Sequence, residues 1–274
     1  MDKLRFGTAG IPVSTKGDTI QGIKDVHKLD LDSMELEFVH SINIKEEKAP
    51  EIKETAEKNN IKLTCHAPYF INLNSSDPKK FHASIGRIVN SAKITSLCGG
   101  YSVCFHAGFY QGQNKDKVYE NIKLGFKKIL DEVKEFDKNI WIRPEISGKI
   151  AQFGDLNELI KLSDDFDQVL PCIDFSHLFA RTIGKNNTLE EFNSILEQIE
   201  KIKKDAIKNM HIHVSGIEYG DKGEKHHLIL KESKFNYKDL MKALKEFKVK
   251  GCLTCESPNI EQDALLMKNY FEKI

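Results

Sequence analysis

From end to end the chain alternates between short apolar runs and longer stretches of helical period. The runs are LRFGTAG from Leu4, SMELEFV from Ser33, IKLTCH from Ile61 and YSVCFH from Tyr101, then NIWIRPE from Asn139, QVLPCID from Gln168, NMHIHVSG from Asn209 and GCLTCES from Gly251. Each is rich in Val, Ile, Phe or Thr and bounded by turn residues, as strands are. Between them, Ile85, Ile88, Val89 and Ala92 recur at i, i+3, i+4 and i+7, and Gly99–Gly100 can end that helix in a left-handed turn. Thr188 with Glu191 forms a capping box ahead of Phe192, Ile195, Leu196, Ile199 and Ile202; Asp155 with Glu158 repeats the signal. Asn236 opens a further helix carrying Leu240, Leu244 and Phe247. Eight strand–helix units in 274 residues average about 34 residues each, the size of a βα unit in a barrel of roughly 250 residues. No linker or low-complexity tract divides the chain. The pattern predicts a single-domain (β/α)₈ barrel over residues 1–274. A doubly wound sheet would carry a GxGxxG turn after its first strand, and GTAGIP is not one.

Composition narrows the partners. The 41 basic side chains balance 41 acidic ones, which excludes a supercharged nucleic-acid wrapper and an acidic disordered chain. No apolar run approaches the roughly 20 residues of a membrane span. The N-terminus enters a strand pattern without a signal-peptide core, so a cytoplasmic protein with no membrane partner is expected. The six cysteines read as reduced, mostly buried thiols; Cys252 and Cys255 form a CxxC with no second pair to complete a structural zinc site.

The strand ends carry the chemistry. The third run ends in His66, the fourth in His106, the fifth in Glu145, and the sixth in Asp174 with His177 just beyond. The seventh carries His211 and His213, and the eighth ends in Glu256. In a barrel these ends converge on the face that holds active sites. Imidazoles and carboxylates without thiolates suit Zn²⁺, Mn²⁺ or Fe²⁺ in a catalytic site. The loop after the seventh strand adds Glu224, His226 and His227. Together these side chains could hold more than one metal, the usual machinery for cutting phosphate esters. His27, His40 and His82 fall in helical or loop positions and read as satisfied core or surface residues rather than ligands.

CHAPYFINL (Cys65 to Leu73), FHAG (Phe105 to Gly108), the Glu145–Gly148 turn, CIDFSHLFA (Cys172 to Ala180), HIHVSG (His211 to Gly216), KHH (Lys225 to His227) and CESPN (Cys255 to Asn259) resemble the motifs of the endonuclease IV family. That resemblance implies a trinuclear zinc enzyme that cuts DNA on the 5′ side of abasic sites, using water activated by the metals and no organic cofactor. It assigns His66, His106 and Glu145 to one zinc, and Glu145, Asp174, His211 and Glu256 to a second. His177, His226 and Glu224 go to the third, with Asp221 the rival carboxylate, since the family has Asp where Glu224 stands. Glu145 then carries catalysis as the bridging carboxylate. Tyr69 matches a DNA-contacting tyrosine, while Lys149, Arg181 and Lys225 are placed to meet phosphates. His213 is left as an extra ligand, a supporting partner or a polar barrel residue. The loop after the second strand, HSINIKEEKAP, lacks the Arg and Gln that enter the minor groove in the family. The competing enzyme reading is a one-metal sugar isomerase or epimerase of the xylose-isomerase-like barrels, using Glu145, Asp174, His211 and Glu256. A non-catalytic DNA- or partner-binding barrel is the third reading.

Overall fold

A computed structural model describes residues 1–274. The chain runs β1 (Leu4–Ala9), α1 (Thr19–Lys28), β2 (Ser33–Glu37), α2 (Ala49–Lys58), β3 (Lys62–His66), α3 (Pro78–Leu97), β4 (Ser102–Phe105), α4 (Lys115–Val133), β5 (Trp141–Pro144) and α5 (Leu156–Asp165). It continues through β6 (Cys172–Asp174), α6 (Phe175–Arg181), α7 (Leu189–Ile202), β7 (Met210–Val214), the hairpin β8 (Gly216–Gly220) and β9 (Gly223–Leu228), α8 (Tyr237–Glu246), β10 (Gly251–Cys255) and α9 (Glu261–Lys273). Eight parallel strands pair in the order β5-β4-β3-β2-β1-β10-β7-β6. Single parallel bridges, Ile142 with Val169 and Glu145 with Cys172, join the two end strands and close the barrel. This is the expected (β/α)₈ architecture, with a β-hairpin inserted after β7.

Helix starts follow the capping signals. Asp155 and Thr188 both form reciprocal capping boxes, with Glu158 and Glu191. Asn236 accepts from the N–H of Asp239 at the start of α8, and Gly99 ends α3 at φ +76°.

The apolar core lies between strands and helices as one cluster of 69 buried residues, each large side chain contributing about 1.5–3 kcal/mol by leaving water. The lumen is different. Barrel interiors are usually filled by Val, Ile and Leu, whereas here Glu35 meets Thr64, Cys104, His211 and His213 across the barrel, all buried. Lower down, the Arg143 guanidinium donates to the carbonyls of Pro171 and Asn209 and lies 5.5 Å from the Trp141 ring centroid, closing that end. All six cysteines are free and buried.

Candidate metal centre

Glu145, at the end of β5, is the hub. Its carboxylate lies 3.1 Å from Nε2 of His66, 3.7 Å from Nε2 of His106, 3.2 Å from Nδ1 of His177 and 3.3 Å from Nδ1 of His213. Alternation on β3 and β7 turns His66 and His213 inward, His106 and Glu145 stand just past the ends of β4 and β5, and His177 comes from the first turn of α6. Asp174 both ends β6 and N-caps α6, accepting from the N–H of His177 at 2.6 Å while its Oδ2 lies 3.1 Å from His177 Nδ1. Its carboxylate therefore stands beside the imidazole one helical turn ahead.

Two assignments from sequence shift by one or two residues. The donor group around Glu145, Asp174 and Glu256 contains His213 rather than His211, with all four donor atoms within 4.8 Å of one another. His211 lies one layer deeper, its Nδ1 2.9 Å from Ser102 Oγ and its Nε2 2.6 Å from Glu35 Oε2. Both histidines face inward because they are two apart; depth decides between them, and periodicity carries no depth.

The second shift arises in the hairpin. A register break between Glu218 and Tyr219 pairs Glu218 with His226 and Tyr219 with Glu224, leaving Lys225 as the extra residue of a bulge. Without it Glu224 and His226 would share a face. With it, Glu224 and His227 do, and His226 is exposed. His227 Nε2 lies 3.3 Å from His177 Nε2, and Glu224 Oε2 3.5 Å from the same atom, so the third group is His177, Glu224 and His227. Asp221, the alternative carboxylate, is exposed outside it. The hairpin reaches His177 because Gly148 lets it. A Cβ there would lie 2.6 Å from Glu224 Oε2 and 2.9 Å from the His177 ring, and one on Gly223, at φ +88°, would lie 2.2 Å from the Gly148 carbonyl.

Glu35 and Glu37 on β2 escaped the sequence reading. Their signal was present, since SMELEFV sets two carboxylates two residues apart among apolar neighbours, but no strand-end rule reaches Glu35. Tyr69 is exposed at the mouth, its ring centroid 5.7 Å from that of His66. Lys149 is exposed on the rim, and Lys225, also exposed, lies 3.3 Å from Glu218. Arg181 departs from the expected phosphate-facing role: it donates to the Ser147 and Lys149 carbonyls and to Tyr110 Oη, bracing the loop after β5. Phe70, Phe109 and Ile150 are exposed on the loops after β3, β4 and β5.

Burial opposes ionisation of Glu145, but the imidazoles of His106, His213 and His177 outweigh it and hold the carboxyl well below the usual range. Burial alone would lower His66, and Glu145 overrides this to bring it to about 10. At His106 burial wins and lowers the ring to about 4. Burial pushes Glu256 up to about 7. The donor set fits divalent cations. Asp174 Oδ2 and Glu256 Oε2 are buried without hydrogen-bond partners, and each such atom costs about 1–3 kcal/mol or more unless a cation meets it.

Residues 23–271 match the model of the xylose isomerase-like TIM barrel family. The chain belongs to that family. An uncharacterised protein of Methanocaldococcus jannaschii is 46% identical over 98% of this chain and 97% of its own length. A probable endonuclease 4 of Mycoplasma genitalium is 28% identical over 76% of this chain and 71% of its own. Among solved structures, endonuclease IV from Thermus thermophilus superposes with a TM-score of 0.75 at 15% identity, covering 98% of this chain and all of that one. A D-tagatose 3-epimerase-like protein gives 0.73 at 17% identity, covering 98% and 96%. At those identities the likeness is one of fold, and this barrel fold holds both nucleases and sugar epimerases. No helix is long and apolar enough to cross a membrane.

Proposed function

We propose that the protein is a metal-dependent phosphodiesterase that cuts DNA at abasic sites, with about three divalent cations, zinc foremost, held around Glu145. The observation that carries this reading is the number of donors. His66 with Cys104 and Glu145, His106 with Glu145 and His177, and His177 with Glu224 and His227 form three further donor groups beside the four-donor group that one cation would already satisfy. Distant relatives named probable endonuclease 4 point the same way. Divalent cations bound there would supply Lewis acidity toward phosphate oxygens and acidify water.

The chain's own groups do the rest. Glu145 is the carboxylate common to three donor groups, so its position sets their separation. Lys149 and Lys225 at the rim offer ammonium groups to flanking phosphates, giving salt-dependent binding. Tyr69, Phe70, Phe109 and Ile150 surround the mouth with exposed apolar surface on which unstacked bases or a bare sugar can rest. They compensate for the loop after β2, which brings no Arg or Gln. Incision of a duplex carrying one abasic-site analogue, with and without chelator, tests the proposal; intact duplex in both lanes overturns it.

A second reading has its own support. Glu145, Asp174, His213 and Glu256 by themselves suit the single cation of a sugar epimerase, a class represented among the fold neighbours. A reproducible stoichiometry of one metal, with ketose epimerisation and no incision, would favour it.

A further inference from the structure

Beneath the metal centre lies a layer that neither functional reading uses. Glu35, on β2, is fully buried, and its carboxylate is ringed by polar side chains from three other strands. Thr64 Oγ1 donates to Oε2 at 2.8 Å, and the Cys104 thiol lies 3.8 Å from the same oxygen. His211 Nε2 stands 2.6 Å from Oε2 and His213 Nε2 stands 2.9 Å from Oε1. The register explains this meeting: Glu35 pairs with Ala9 and Thr64, while His211 and His213 rise along β7 on the far side of a narrow barrel.

His213 is thus held between two carboxylate levels. Its Nδ1 faces upward, 3.3 Å from Glu145 and 3.4 Å from Glu256, and its Nε2 faces down to Glu35. Both nitrogens of His213 face carboxylates, which favour a proton on each; a cation among Glu145, Asp174 and Glu256 would displace the proton of Nδ1, while Glu35, 2.9 Å from Nε2, favours keeping the other. We propose that Glu35 is a positioning residue of the metal centre: it keeps the proton on Nε2 of His213 and so makes Nδ1 the nitrogen offered to metal. His211 steadies Glu35 from the other side and is itself held by Ser102 Oγ. The chain Ser102–His211–Glu35–His213 is a carboxylate–histidine support of the kind that orients metal ligands. It rests on the metal-centre reading but holds equally for the nuclease and the epimerase, since both use His213.

The decisive measurement needs no variant of Glu35. Protein with isotope-labelled histidine is loaded with NMR-active cadmium, with His213→Gln identifying the resonance. The expected spectrum couples cadmium to Nδ1 of His213 and shows a proton retained on Nε2. Coupling through Nε2 overturns the proposal; failure of wild-type protein to take up cadmium or zinc overturns the metal centre itself, a separate result. Glu35→Gln, which keeps the volume but cannot accept from both imidazoles, should fold and weaken zinc binding by about 10–100-fold. Unchanged zinc affinity and unchanged Nδ1 coupling in that variant would show that Glu35 merely fills the barrel.

Discussion

The two sides of the barrel wall follow different rules. Outside, strand residues such as Val103, Phe105 and Ile142 pack with the helices in a continuous apolar shell. Inside, Glu35, Thr64, Cys104, Glu145, Asp174, His211 and His213 fill the lumen with side chains that bond to one another. The same alternation builds both. The outer face therefore supplies the free energy of folding, and the inner face is committed to chemistry. Where partners are missing, as at Asp174 Oδ2, Glu256 Oε2 and Glu37 Oε1, the inner layer costs stability rather than contributing it.

The sharpest way to break this contrast is to change one inner and one outer residue. Glu145→Gln should lower kcat for abasic-site incision by roughly 10³-fold or more, on the scale of removing a key electrostatic stabiliser. The thermal midpoint should stay near wild type, since strand-end residues at this face serve chemistry more than stability. Near-normal turnover would refute the central role of that carboxylate. Phe126 is its opposite: fully buried on α4, with ring centroids 5.7 Å from Phe105 and 6.2 Å from Phe166. Phe126→Ala should cost about 3–5 kcal/mol of stability in denaturant unfolding, with metal content per folded chain unchanged. A loss of metal in that variant would mean that shell and lumen are coupled.

The contrast also explains what could be read from sequence. The outer shell was legible because 3.6- and 2-residue periods, capping boxes and the Gly99 turn are local. Glu145, Asp174, His66 and His106 were legible because strand ends are fixed by their neighbours. Depth was not: His211 and His213 have the same parity, and only the level of Glu35 and Glu256 separates them. Nor was the hairpin, where a bulge at Lys225 exchanges His226 for His227: a bulge is set by the pairing of two strands and leaves no periodic trace in either.

That exchange gives the next prediction. His227→Ala leaves only His177 and Glu224 in the third group, fewer than the three protein ligands a catalytic zinc site keeps. The variant should lose about one metal by elemental analysis and most of its incision activity. His226→Ala, altering an exposed position one residue away, should change neither. If the two variants behaved in the opposite sense, the bulge would not persist in solution.

The smallest expected effect concerns Glu37, the other inward carboxylate of β2, whose Oε1 is buried without a partner. Burial, and then the charge of Glu35, push its carboxyl up to about 8, against roughly 4.3 in an unfolded chain. A raised acid holds its proton more tightly when folded, so its contribution to stability is complete below the unfolded value. The contribution fades as pH rises toward and through about 8, where the folded group must ionise inside the barrel. In chelator-treated protein, wild type should therefore lose stability between about pH 5 and pH 8 more steeply than Glu37→Gln, whose amide never titrates. Urea unfolding of both across that range isolates the difference, because the other buried groups are common to the two chains. Parallel curves would mean that water reaches Glu37 and that the polar lumen opens one layer deeper than its contacts imply.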